Sequence, residues 1–313
     1  MNRYTWAALL VAGLAAPLVV YPVFMMKLLC FALFALAFNL LLGYTGLLSF
    51  GHAAFFGGAA YITGQLVKAY GFTPELGVLA GTLFAGLLGF LVGSLAIRRQ
   101  GIYFAMVTLA LSQIVYFLAL KLPFTGGEDG LQGIPRGLLF GLIDLNRSYQ
   151  VGGKPLGLNL YYFVFALFCL GYWIIHRTIH SPFGQVLKAI RENEPRAVSL
   201  GYKVERFKLI AFVISSALAG MAGAMKSLVF QLASLTDVNW HTSGEVVLMT
   251  LLGGVGTVLG PLVGAFTVVT LQSELSTVGP WITVIIGGTF VVCVLIFRRG
   301  LVGELAKLIK RPL

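Results

Sequence analysis

Residues 191–198, reading Arg-Glu-Asn-Glu-Pro-Arg-Ala-Val, hold the densest polar chemistry in this chain: five of the eight are ionisable or amide-bearing. Mixed charge of this kind suits a specific, polar-rimmed contact with another protein better than a surface of anionic lipid. The other groups that could do chemistry are scattered. The histidines are His52, His176, His180 and His241. His176 and His180 share one helical face, but beside Arg177 at the end of an apolar run they read as interface residues rather than a metal site. The GGKP at 152–155 lacks the spacing and the Ser/Thr of a phosphate-binding loop. Gly254-x-Gly256 has no preceding strand and is followed by Pro261, so it is no dinucleotide fingerprint. There is no HExxH and no GxSxG. The chain offers no catalytic motif, no metal site and no cofactor site of its own.

The elements that carry these residues are apolar. Of 313 residues, 58% are hydrophobic and 11% are charged, and the mean hydropathy is +0.91. A soluble domain carries roughly 25% charged residues, so too little polar surface exists here to cover a water-facing globule. Several apolar runs approach the ~20 residues a helix needs to cross the hydrocarbon core. About ten spans follow, at 5–26, 28–48, 51–69, 75–97, 101–121, 159–176, 207–229, 243–256, 258–275 and 278–297. The third, eighth and ninth are short or glycine-broken, and 243–275 reads equally as two crossings or as a re-entrant dip. The first run lacks a small-x-small cleavage site before Lys27 and is expected to be a retained span.

The net charge of +11 comes from residues at the ends of apolar runs, with no basic–aromatic patch for nucleic acid. Alternating from a cytoplasmic N-terminus puts most Lys and Arg inside. The fold expected is an all-α integral membrane protein, a polytopic bundle of about ten transmembrane helices with both termini cytoplasmic. A single domain, 1–313, would carry an outer loop at 122–158, an inner loop at 177–206 and an inner basic tail at 298–313. Lys226, near the end of a span, is expected to snorkel outward. Cys30, Cys169 and Cys293 lie inside apolar runs at no metal spacing and are expected to be packing thiols.

The 39 glycines do two things. Gly77, Gly81, Ala85, Gly89 and Gly93 form one row of small residues at i, i+4 spacing; Ser216, Gly220 and Ala224 form another, with Ala219 and Gly223 beside it. Such ridges let helix backbones approach closely. Elsewhere the glycines break helices, in GYTGLLSFGHAAFFGGAAY at 43–61 and LLGGVGTVLGPLVGA at 251–265. Broken backbone at membrane depth is tolerated only against protein or a wet cavity. Polar residues in or near the spans are Asn39, Thr45, Ser49, His52, Thr108, Gln113, Glu245 and Glu274. Of these, Thr45, Ser49, His52, Gln113 and Glu245 are candidates for lining a translocation path; inter-helix hydrogen bonding is the plain alternative. Few buried carboxylates argue against a proton-coupled carrier.

The inner loop carries helix signals. Ser181 then Pro182 gives an N-cap and a first-turn proline; Asn193 or Glu194 caps a restart at Pro195, and Gly201 fits a C-terminal stop. Two short helices joined at an elbow are expected, with Val186, Leu187 and Ile190 toward the bundle. Lys188, Arg191, Glu192, Glu194 and Arg196 would face water or a partner. A bundle with no engine and a docking elbow points to an engine on another chain.

The island resembles the coupling loop of the branched-chain amino acid permeases of ABC transporters, the LivM type. GYTGLLSFGHAAFFGGAAY, FTGGEDGL and LLGGVGTVLGPLVGA resemble that family's early, external-loop and late motifs, in order, over nearly the whole chain. The resemblance implies a non-catalytic inner-membrane permease for leucine, isoleucine and valine. It implies a second, related permease (LivH type), two ATPase subunits (LivG and LivF type) that hold the ATP and Mg, and a periplasmic binding protein. It carries the ATPase-coupling role onto Arg191, Glu192, Asn193, Glu194, Arg196, Ala197 and Gly201. Of the general importer motif Glu-Ala-Ala-x3-Gly only Ala197 and Gly201 align, since Pro195 and Arg196 replace its first two residues. Permeases for urea, short amides and other amino acids share the family. A stand-alone carrier would want buried ionisable couples, and a membrane-embedded enzyme would want a His and acidic cluster at one membrane face.

Overall fold

The computed structural model describes residues 13–14, 16–17, 20–147, 149–151, 154–275, 284–285, 287–288, 291, 295 and 300–309; side chains are described for all of these but 149–151, 154–156 and 305–309. Half of the first expected span, most of 278–297 with Cys293, and the ends of the basic tail lie outside them.

Helix α1, Pro22–Thr45, starts on a proline and stops at Gly46 in the left-handed region, φ 76°. It is Leu-, Phe- and Ala-rich on every side and buried on nearly every side, as a helix at the centre of a bundle should be. The expected boundary at Lys27 moves to Pro22, because Pro22 can start a helix and Lys27 need not end one. Around α1 run α2 (His52–Ala69), α3 (Pro74–Ala96), α4 (Ile102–Lys121), α5 (Leu158–Ile179) and α8 (Val204–Phe230), with α6 (Pro182–Glu192) and α7 (Glu194–Ser199) between α5 and α8. The chain continues in α9 (Leu235–Val238), α10 (Trp240–Gly253), α11 (Gly260–Glu274) and α12 (Gly300–Ile309). Five described helices, α1, α3, α4, α5 and α8, are long and apolar enough to cross a membrane. Outward faces of α3 and α4 expose Leu83, Leu87, Leu95, Met106, Ile114 and Phe117, a surface fit for lipid and not for water.

The small-residue rows meet. A Cβ on Gly223 would lie 1.9 Å from the Phe56 carbonyl oxygen of α2, and one on Gly220 would lie 2.2 Å from the Ala85 Cβ of α3. A Cβ on Gly89 would strike Ser216. So α8 packs against α2 and α3 at backbone contact, where only glycine fits.

Helices α10 and α11 pack antiparallel: a Cβ on Gly264 would lie 1.8 Å from the Met249 carbonyl oxygen. With 14 and 15 residues, each spans about 21–23 Å at 1.5 Å per residue, short of the ~30 Å core. They join at the break 254–259, which lies beside the α1 end at Gly43.

The helical bundle carries short strand structure in its loops as well. Three two-stranded antiparallel ribbons pair β1 (Leu131–Gln132) with β6 (Leu232–Ala233), β2 (Leu138–Leu139) with β3 (Ile143–Asp144), and β4 (Tyr149–Val151) with β5 (Lys154–Leu156). All but β6 lie in the loop between α4 and α5. That loop is fastened to the end of α8: Arg136 donates from Nη2 to the Val229 carbonyl at 2.8 Å and from Nε to Leu228 at 3.3 Å. The guanidinium thus satisfies carbonyls that a helix C-terminus leaves orphaned. Burial lowers the Arg136 pKa from its ordinary value, but a guanidinium stays charged.

Lys226 does not snorkel. It pairs with Asp237 of α9, because α9 folds back beneath the α8 end on a capping box formed by Ser234 and Asp237.

Candidate functional site: a two-helix elbow and the broken helix ends

The elbow forms where its caps fall. The Ser181 Oγ accepts from the Gly184 N–H at 3.3 Å, with Pro182 in the first turn. The Asn193 Oδ1 accepts from the Arg196 N–H at 3.0 Å, on an extended backbone that breaks α6 from α7. A Cβ on Gly184 would sit 2.3 Å from the Ile179 carbonyl oxygen, so glycine lets α6 turn directly off α5. After α7 the Gly201 N–H reaches Val198 and the Tyr202 N–H reaches Ala197, at 2.9 and 3.2 Å, with Gly201 at φ 85°. That pair of bonds is a Schellman stop.

Leu187 and Ile190 are buried as expected, and Ile190, Ala197 and Val204 form a small core with Val186 and Phe207 against it. Ala197 is therefore packing. Glu192, Asn193, Arg196 and Gly201 are exposed. Arg191, also exposed, and Glu194, part-exposed, act in addition as anchors. The Arg191 Nη1 donates to the Gly43 carbonyl at the end of α1. The Glu194 Oε1 pairs with the Lys208 Nζ of α8 at 2.7 Å and accepts from the Gln100 Nε2 at 3.3 Å. Buried Lys208 needs a counter-charge, and Glu194 is the carboxylate in reach.

Sequence reasoning missed the exposed apolar trio Val198, Leu200 and Tyr202, with Leu200 70% accessible. It stands beside Arg196 and Glu192, giving an apolar patch with a charged rim, the anatomy of a protein contact. The trio's place on the outer side of the Ala197 packing position was the available signal. Between the elbow and α1 lies a cleft of about 460 Å³ lined by Gly43, Tyr44, Lys188, Arg191, Glu192 and Gly256. The Lys188 Nζ lies 5.7 Å from the Tyr44 ring centre.

Thr45 ends α1, Ser49 lies in the break that follows and His52 begins α2, and all three are buried. Their polar atoms serve the backbone and the core. The Thr45 Oγ1 donates to the Leu41 carbonyl at 2.5 Å, and the Ser49 Oγ accepts from Gly51 at 3.2 Å. The α2 N-terminus is capped from other helices: the Ser243 Oγ accepts from the Ala53 N–H at 2.9 Å and the Thr108 Oγ1 from the Phe50 N–H at 3.3 Å. The Ser215 Oγ donates to Ala37 at 2.6 Å, so its one hydrogen is committed. The His52 Nε2, 2.9 Å from that Oγ, must then be the protonated nitrogen. Phe38, Phe55 and Phe212 surround the ring edge-on. Glu245 lies beyond Ser243 on α10, half-buried and hydrogen-bonded to Gln272, with Lys27 and Lys226 nearby. Gln113 stands apart on α4, and its buried Nε2 has no partner among the described residues. His176 and His180 stack with ring centres 4.1 Å apart, and the described residues contain no metal-holding cluster.

Comparison with known proteins places this arrangement. The high-affinity branched-chain amino acid transport system permease protein LivM of Escherichia coli is 30% identical over 87% of this chain and 67% of its own length. The probable LivM of Methanocaldococcus jannaschii is 28% identical over 70% of this chain and 63% of its own. The fructose import permease protein FrcC of Rhizobium meliloti is 26% identical over 76% and 66%. No solved structure matches the chain. The family described as the permease component of the branched-chain amino acid transport system matches residues 21–297. A multi-pass membrane protein with a capped, anchored elbow, this chain belongs to the branched-chain amino acid transport system permease family.

Proposed function

We propose that the chain is the non-catalytic permease subunit of an ATP-driven importer carrying leucine, isoleucine and valine across a bacterial inner membrane. A related permease of the LivH type would complete the pathway. Two ATPases of the LivG and LivF type, binding ATP and Mg, would dock on the elbow, and a periplasmic binding protein would deliver cargo. The bundle has about ten crossings, both termini and the 177–206 and 298–313 segments inside, and 122–158 outside. Thr45, Ser49, His52, Gln113 and Glu245 remain the candidates for the path between permeases.

The observation that carries this reading is the elbow. An exposed patch of Val198, Leu200, Tyr202, Glu192 and Arg196 is mounted on short capped helices whose back is tied to α1 and α8. Force applied at the patch reaches the bundle through charged and hydrogen-bonded ties and not through a loose loop.

The test is purification from native membranes in gentle detergent, then uptake into proteoliposomes. Co-purification of two ATPases and a second permease, with ATP-dependent leucine uptake, is the expected result. A chain that comes down alone, or takes up solute without ATP, overturns the importer reading. One relative is named for fructose import, so uptake of urea or fructose but not leucine would replace the cargo alone.

A further inference from the structure

Asn39 is a buried amide on α1, 2% accessible, facing the break between α10 and α11. Its Oδ1 accepts from the Gly256 N–H at 2.9 Å and its Nδ2 donates to the Thr257 carbonyl at 2.9 Å. The two bonds run in opposite senses, so the side chain pairs with the break as a strand would, and they fix which end of the amide is oxygen. The fit is close. A Cβ on Gly43 would lie 2.4 Å from the Asn39 Oδ1 and 2.7 Å from the Gly256 nitrogen. Glycine at 43 therefore lets the break lie directly on α1.

The break is itself braced. The Thr257 Oγ1 donates to the Gly254 carbonyl at 2.8 Å and accepts from the Gly260 N–H at 3.0 Å. A Cβ on Gly300 would lie 2.4 Å from the Gly254 Cα, so α12 begins against the same turn. Arg191 of the elbow completes the knot: it donates to the Gly43 carbonyl and its Nη1 stands 3.0 Å from where a Gly256 Cβ would be.

We propose that Asn39 is a positioning residue that clasps the 254–259 break to α1, so that the elbow, the α1 end and the α10–α11 hairpin move as one body. The inference rests on the importer reading for its function but not for its geometry. An apolar side chain of similar size would fill the space but leave the Gly256 N–H and the Thr257 carbonyl without their Asn39 partners. What only the amide supplies is a rigid link between the exposed backbone of the break and the helix that Arg191 holds. The elbow then drives the bundle along two routes, to α8 through Glu194–Lys208 and to α10–α11 through Arg191, Gly43 and Asn39.

The experiment uses the assembled complex in nanodiscs, with Cys30, Cys169 and Cys293 replaced by Ala. Spin labels on Gln185→Cys of α6 and Phe266→Cys of α11, both exposed, report their separation through the nucleotide cycle. A constant separation in the otherwise unaltered complex, and a nucleotide-dependent one in Asn39→Leu, is expected. A separation that changes without the Asn39 substitution, or stays constant with it, overturns the clasp. The second readout is ATP consumed per molecule imported, expected to rise roughly tenfold in Asn39→Leu, while a role in folding alone would lower the amount of complex and leave the ratio unchanged. If Asn39→Leu fails to assemble, the isosteric Asn39→Asp, which keeps the acceptor and loses the donor, is read the same way. A complex that takes up no leucine refutes the cargo and leaves the label distances to judge the clasp.

Discussion

Glu194 and Lys208 join the elbow to α8, the longest of the described helices: their Oε1 and Nζ lie 2.7 Å apart, with the lysine side chain 6% accessible and the glutamate 30%. The lysine is the vulnerable partner. Glu194→Gln should destabilise the protein by about 2–3 kcal/mol, because it strands a buried ammonium. Adding Lys208→Met should recover most of that loss. Thermal unfolding of both single variants and the double variant in detergent gives the coupling directly; additive losses would show that the pair is not coupled.

The backbone contact of α8 with α2 makes a sharp contrast between glycines. Gly223→Ala would put a methyl 1.9 Å from a carbonyl oxygen that no rotamer can move, whereas a Cβ on Gly86 would meet only Ala217 at an ordinary 3.5 Å. Gly223→Ala should cost more than about 2 kcal/mol, and Gly86→Ala should be neutral or gain up to about 1 kcal/mol from helix propensity. Melting temperatures of the two, compared side by side, check the assigned interface.

Docking should separate from folding at Gly201. Its space is open, with nothing within 4 Å of an added Cβ, and its positive φ is one that Asp and Asn tolerate better than most residues. Gly201→Asp should therefore fold, yet weaken ATPase capture roughly tenfold or more, as should Leu200→Ser. Binding assays against the purified ATPases read this, and unchanged capture by both variants would remove the docking role. Charge reversal at Arg191 or Glu194 would also break their ties to Gly43 and Lys208, so it reads anchoring and docking together.

Capping within the membrane predicts another loss. Ser243→Ala leaves the Ala53 N–H without its partner, at a cost of about 1–3 kcal/mol. Thr82→Ala removes only a bond to the carbonyl of its own preceding turn and should be nearly silent. Equal melting shifts for the two would argue that Ala53 finds another acceptor.

The parts of this fold legible in the sequence are those written in local pattern. Ser181-Pro182, Asn193-x-Pro195 and Gly201 mark the elbow because caps act over one helical turn. The rows ending in Gly93 and Ala224 mark their interface because small residues repeat with the helix. What stayed hidden needs long-range partners. Asn39 lies 217 residues from Gly256, and no spacing rule connects them. Lys226 looked solitary because its partner sits on α9, four residues long, too short to read as an element. Strands of two or three residues, such as Leu131–Gln132 and Leu232–Ala233, carry no periodicity at all. Of the site, the elbow's shape was readable, but which of its charges also act as anchors was not, since that depends on Gly43 and Lys208 arriving from elsewhere.

Ser243 caps an amide 190 residues earlier in the chain. A ribosome adding about 5–20 residues per second needs roughly 10–40 s to cover that distance. Throughout that interval the front of α2 exists without the hydroxyl that completes it. The early third of the protein is thus built ahead of its own lock, and only the arrival of α10 closes it.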